Sequence, residues 1–281
     1  MKGRFLTDER IEEFRQHLIS EEKSENTIEK YMRDVRVFAA FVSGNEITKE
    51  LAIAYKQKLI EAGYAVRSVN SMLASINSLF SFFGWLDCKV KAIKQQRQIF
   101  CSEDKELTKA EYVRLLNAAK QKKNDRLNLI IQTICGTGIR VSELQFITVE
   151  SAKAGQATVN CKGKIRTVFI VKELKKKLLR YVKEKRITTG SIFITRSGKP
   201  ISRTNIWREM KALCKDANVN PNKVFPHNLR HLFARTFYGL EKDIAKLAGI
   251  LGHSSINTTR IYIISTGDEH RRRMENMRLV I

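Results

Sequence analysis

The second half of the sequence collects side chains that bind anions or move protons. Arg140 follows the glycine turn of GTGIR, Lys162 sits in KGKIR, and HNLRH places His227, Arg230 and His231 within about one helical turn. His253 closes the phrase LGH, and Tyr262 follows it in RIY. Guanidinium groups stay charged and grip phosphate oxygens through paired hydrogen bonds. Two arginines brought from distant positions could clamp one phosphodiester and stabilise the charge of a pentavalent transition state. Taken singly these residues say little: a lone arginine commonly makes a surface ion pair, and a lone tyrosine commonly packs in a core. The set carries the reading.

Other chemistries fit less well. His227 and His231 stand at i and i+4 and could share a metal, but Asn228 occupies the position where a zinc hydrolase of the HExxH kind needs glutamate. A third ligand has no obvious spacing, and Cys88, Cys101, Cys135, Cys161 and Cys214 include no CxxC pair. GTGIRVS lacks the GK[ST] of a phosphate loop, and Val141 replaces the last glycine of GxGxxG. The GxSxG elbow of a serine hydrolase does not occur. The expectation is a site with no metal and no nucleotide cofactor.

These residues need elements to hold them. The first part reads as four helices. Thr7 opens the first, with Ile11, Phe14 and Leu18 on one face; Asn26 with Glu29 makes a capping-box-like start to the second. A third runs from Thr48 to Ala62 and a fourth from about Val66 to Phe83. Their aromatic residues follow the 3.6 period, which predicts core and not base-stacking platforms. The stretch 89–104 reads as a linker, with four basic residues and no acid in 89–97. Thr108 and Glu111 open the second domain with another capping box, and a buried helix from Asp125 to Cys135 ends at the glycine turn. QATVN and KIRTVFIV form a hairpin around Cys161, Lys162 and Gly163, and SIFIT reads as a third short strand. Helices follow around 172–186, 203–217, 228–239 and 242–251, and a last one holds Tyr262. The fold class is α+β with helix dominant: a four-helix N-terminal domain, then a mainly helical domain with a small antiparallel sheet.

Charge points to the partner. The 281 residues carry a formal net charge of +23. Residues 1–104 hold 16 Lys/Arg against 15 Asp/Glu, whereas residues 105–281 hold 36 against 14. Such asymmetry suits a polyanion, with nucleic acid ahead of an acidic membrane surface. No apolar run approaches the roughly 20 residues that span a bilayer, and the start MKGRFLTDERIEEF lacks a signal-peptide apolar region. Five dispersed cysteines suit reduced thiols. A cytoplasmic, DNA-associated protein is expected.

GTGIRVSEL, HNLRH and LGHSSINTTRIY resemble the signature boxes of the tyrosine recombinase family, which includes phage integrases and Xer-type recombinases. The layout of the whole chain is similar as well. The resemblance implies a core-type DNA-binding domain over 1–88, the linker over 89–104, and a catalytic domain with a C-terminal tail over 105–281. It implies Arg140 and Arg230 as the two arginines, His227 and His253 as the histidines, and Tyr262 as the nucleophile. Lys162 aligns best as the hairpin lysine, with Lys164 the alternative. Glu143 matches a buried acid that orients the first arginine, and His231 matches a structural position.

The implied reaction is attack of the tyrosine on phosphorus, giving a 3′-phosphotyrosine and freeing a 5′-hydroxyl. The ester keeps the bond energy, so rejoining needs no ATP, and with Arg140, Arg230 and His253 neutralising the phosphate no metal is required. A phenol has a pKa near 10, so ionising it at pH 7 costs about 4 kcal/mol unless a base takes the proton. His227 is that base, or else serves the leaving group's proton path. The family implies double-stranded DNA as partner and a homo-tetramer on two paired sites. The tail HRRRMENMRLVI would dock on a neighbouring protomer or on its own. The chain starts at the helical domain, which leads to the expectation of a short core site. Two readings stay open beside a recombinase or integrase: a type IB topoisomerase, and a non-catalytic DNA-binding protein on the same fold.

Overall fold

A computed structural model describes residues 3–95, 105–161, 164–263, 271 and 274–277. The chain divides into two compact units, one from the residues up to 97 and one from 98 onward.

The first unit packs α1 (Asp8–Ser20), α2 (Glu25–Val42), α3 (Lys49–Glu61) and α4 (Val66–Phe82) around one apolar core. Thr7 and Thr48 each cap a helix by accepting a backbone N–H, from Arg10 and Leu51. The second helix starts earlier than its sequence suggests. Ser24 takes the cap position, its hydroxyl pairing with Thr27, and the capping box of Asn26 and Glu29 does not form. Phe14, Phe38 and Phe80 are fully buried, as their spacing predicts. Asp34 is buried too, and Lys30 and Ser75 satisfy its carboxylate.

Residues 89–95 correct the linker assignment, because they belong to this bundle. Asn77 exchanges two hydrogen bonds with Val90, and Asn70 exchanges two with Ile93. The two asparagines lie seven apart on α4 and so share one helix face, which zips the extended segment down. Residues 96–104 lie outside the described part.

The second unit is built on α6 (Asp125–Thr137), whose Leu127, Ile130, Ile131 and Ile134 are wholly buried. Around it stand α5 (Lys109–Gln121), α8 (Lys172–Glu184), α9 (Arg203–Leu213) and α10 (Pro226–Glu241). Thr108 and Glu111 form the predicted capping box. A short α7 (Val149–Ala154), which the sequence reading omitted, leads into the hairpin of β1 (Gln156–Cys161) and β2 (Lys164–Phe169). The strands pair antiparallel, with Val159 opposite Arg166.

SIFIT is not a strand. Its Ser191 and Ile194 make only single bridges, to Thr148 at the cap of α7 and to Pro200, and neither partner belongs to a sheet edge. Next come α11 (Ile244–Leu251) and α12 (Ile256–Arg260). Tyr262 is not in a helix, the element its sequence predicts, but in the 3₁₀ turn Ile261–Ile263 that follows α12.

Candidate active site

Two helix ends create the site. The helix α6 stops at Gly138 and α11 stops at Gly252, both in the left-handed region (φ 65° and 66°). Glycine reaches this region without strain. The last carbonyls of each helix lack intrahelical partners and carry the negative end of the dipole. Arg230, 1% exposed on α10, fills the gap between them. Its Nη1 donates to the carbonyl of Gly138 at 2.5 Å and its Nη2 to that of Leu251 at 2.6 Å. Main-chain carbonyls thus seat this buried cation.

Arg140 is held differently. It leaves the Gly138 turn at the start of a 3₁₀ segment, Val141–Phe146, in which Glu143 is 1% exposed. Glu143 Oε1 accepts from Arg140 Nη1 at 2.9 Å, and Oε2 accepts from the Arg140 backbone N–H at 2.9 Å. Arg140 Nη2 reaches the Gly252 carbonyl at 3.4 Å. The same carboxylate also pairs with Arg166 of β2.

The histidines surround the tyrosine. His253 Nε2 lies 3.0 Å from Arg230 Nη2, and its Nδ1 lies 2.8 Å from the Thr259 hydroxyl. An arginine can only donate, so Nε2 is the acceptor and Nδ1 carries the proton. Burial, then Arg230 and Arg140, push the His253 pKa down to about 4. Tyr262 is 5% exposed, and its hydroxyl lies 3.3 Å from His227 Nε2. The His231 ring packs on the phenol with centroids 4.2 Å apart. Burial, then the neighbouring His227, lower His231 to about 4 as well. His227 sits at the solvent edge, yet the loss of solvent around its ring, then Arg230 and Arg140, lower its pKa below the usual 6.5. Burial lowers Arg230 to about 10, which leaves it charged at neutral pH.

An open cleft of about 600 Å³ faces this cluster. Arg140, His227 and Arg230 line one side; Arg203, Thr204 and Trp207 of α9 line the other. Trp207 is 47% exposed, an unusual setting for so large an apolar ring.

The structure therefore brings Arg140, Glu143, His227, Arg230, His253 and Tyr262 into one cluster, with His231 against the tyrosine. Lys162 lies outside the described residues; Lys164 begins β2, and only its backbone is described. The tail end Leu279, Val280 and Ile281 also lies outside them. His253 accepts a hydrogen bond from Arg230, and burial, then the neighbouring arginines, lower its pKa in the DNA-free site. Sequence reading missed Arg166 and the cleft wall of α9. The signal for Arg166 is its parity: it alternates with buried Val168 and Ile170, so a charge faces inward.

Residues 105–268 match the phage integrase family, and residues 11–85 match the phage integrase N-terminal SAM-like domain. The chain belongs to the phage integrase family. Among similar proteins, the tyrosine recombinase XerA of Pyrococcus horikoshii is 31% identical over 96% of this chain and 94% of its own. XerA of Pyrococcus furiosus is 30% identical over 100% of this chain and 98% of its own. A lambda integrase dimer bound to a COC′ core site shares the fold, with a TM-score of 0.76, 18% identity, and coverage of 94% of this chain and 96% of that one.

Proposed function

We propose that the protein is a site-specific DNA recombinase that cuts and rejoins duplex DNA through a 3′-phosphotyrosine. The observation that carries this reading is the Tyr262 hydroxyl, 3.3 Å from His227 Nε2 and beside two arginines. The loss of solvent around its ring, then Arg230 and Arg140, lower the His227 pKa, which favours the neutral ring whose Nε2 can accept a proton.

The steps follow from these positions. A scissile phosphate in the cleft meets Arg140 and Arg230, whose charges offset the added negative charge on the non-bridging oxygens. The Tyr262 oxygen attacks phosphorus as its proton passes to His227. The bond from phosphorus to the 5′-oxygen breaks, and that oxygen leaves with a proton, for which Lys162 is the donor. Attack by a 5′-hydroxyl from another strand reverses the sequence and restores the phosphodiester. Each round forms one phosphorus–oxygen bond and breaks one, so no ATP is consumed, and cationic side chains carry the charge work.

We assign residues 1–88 to DNA binding as the first half of a clamp, and 105–281 to cleavage. A homo-tetramer on two paired sites is the working assembly. It is supported by the shared fold with a lambda integrase solved as a tetramer bound to a Holliday junction (TM-score 0.74, 17% identity). A DNA-associated location in the cytoplasm goes with this reading, and the net charge of +23 supports the association with DNA.

The test is to incubate the protein with a genomic DNA library, trap covalent adducts in denaturant and map the ends. Discrete ends with protein on the 3′ side support the reading. Sequence-independent ends together with relaxation of supercoils by monomers would favour a type IB topoisomerase, and absence of any adduct would favour a non-catalytic DNA-binding protein.

A further inference from the structure

Arg166 is a charged side chain of this cluster that the steps above do not use. It stands on the inward face of β2, followed there by Val168 and Ile170, while Ile165 and Phe169 face solvent. A guanidinium on the core side of a strand is costly unless its charge is paired. Here Nη2 meets Glu143 and Nη1 donates to the Ile250 carbonyl at 3.1 Å. The fit is close: a Cβ added at Gly252 would lie 2.5 Å from Arg166 Cδ. One side chain thus links the hairpin, the 3₁₀ turn that carries Arg140, and the end of α11 that leads to His253.

The charges decide what this linkage does. Arg140 and Glu143 alone sum to zero, and a buried carboxylate behind Arg140 would repel an incoming phosphate. With Arg166 the trio sums to +1. Glu143 can then orient Arg140 without cancelling it.

We propose that Arg166 is a positioning residue for DNA cleavage. It offsets the Glu143 charge so that Arg140 acts on the scissile phosphate as an uncompensated cation, and it ties the hairpin to the turn after α11. This rests on the phosphoryl-transfer reading above.

The experiment compares wild type, Arg166→Gln and Arg166→Lys on a nicked duplex carrying the mapped site. The scissile group is either the ordinary phosphate or a methylphosphonate, which lacks one non-bridging charge. Arg166→Gln should slow adduct formation on the phosphate by about 10²-fold, the scale of one lost oriented donor. On the methylphosphonate it should stay within about threefold of wild type, because there is less charge to stabilise. Equal slowing on both substrates, or on neither, overturns the proposal. Arg166→Lys keeps the charge and should stay within about tenfold of wild type on the phosphate; complete loss in a folded Arg166→Lys also overturns it.

A second measurement needs no DNA. The Arg166 charge is one of those that depress the His253 pKa. Titration of the His253 ring by NMR should show a rise in Arg166→Gln and little change in Arg166→Lys. An unmoved His253 in folded Arg166→Gln means that the charge does not reach the site, and the proposal fails. If wild type forms no adduct on any DNA, the phosphoryl-transfer reading fails, and the proposed role in cleavage fails with it; the His253 titration then still decides the charge arrangement.

Discussion

The hydroxyl of Tyr262 and Nε2 of His227 stand 3.3 Å apart, with the phenol buried against His231 and His253. Removal of one oxygen in Tyr262→Phe keeps the ring packing and should leave the melting temperature and DNA affinity nearly unchanged. It should abolish the denaturant-resistant protein–DNA adduct on a nicked substrate. Gel analysis of both proteins checks this; an adduct that persists in the variant rejects Tyr262 as nucleophile.

The rate should depend on pH through His227. Its pKa lies below 6.5, and only the neutral ring accepts the phenol proton. Single-turnover cleavage should therefore rise with pH through that lowered value and level off above it. His227→Gln should remove the inflection and cost about 10²–10⁴-fold. A profile with the same inflection in the variant would assign the proton to another group.

Stability should follow pH in the same direction. His231 and His253 titrate near 4 in the folded chain, against about 6.5 when unfolded. Between these values the unfolded state binds more protons, so stability is fully present above about pH 6.5 and is lost as pH falls toward 4. Melting temperatures measured across that window should fall with pH, and His231→Phe should flatten the slope. An unchanged slope would remove His231 from the account.

Lys162→Ala should slow cleavage of ordinary DNA by about 10²–10⁴-fold, the usual scale of a general acid. A bridging 5′-sulfur leaves as a thiolate and needs little protonation. On such DNA the variant should cut at nearly the wild-type rate, while Arg140→Ala stays impaired. Rescue of Lys164→Ala and not of Lys162→Ala would shift the hairpin lysine by two residues.

Gly138→Ala tests the helix end. Its φ is 65°, and a Cβ would lie 2.5 Å from the Phe233 ring and 3.0 Å from Leu251. The change should destabilise by about 1–3 kcal/mol, read from urea midpoints. It should also slow cleavage, because the Gly138 carbonyl seats Arg230.

Much of this site is legible in the sequence because it is made of side-chain identities at fixed spacings. Arg140, His227, Arg230, His253 and Tyr262 stand in short phrases that name themselves, and Thr108 with Glu111 announces its helix. What escapes depends on pairing at a distance. SIFIT is a short apolar run like a buried strand, but a strand needs a sheet edge, and Ser191 and Ile194 find only single bridges. Residues 89–95 read as linker because the asparagines that bind them sit far back on α4. The lowered pKa of His253 follows from its burial and then from the arginines that fold around it, and no local pattern carries that.

Arg230 is seated by main-chain carbonyls of Gly138 and Leu251. A carbonyl belongs to every residue type, so lineages can exchange the aliphatic residue at 251 while the cation keeps its place, whereas position 138 stays glycine for its backbone conformation. Length is another matter. One residue inserted into α6 or α11 turns the end of that helix by about 100° and swings its carbonyl away. Over evolutionary time this half of the site should tolerate side-chain exchange outside its two terminal glycines and be erased by insertion or deletion in either helix.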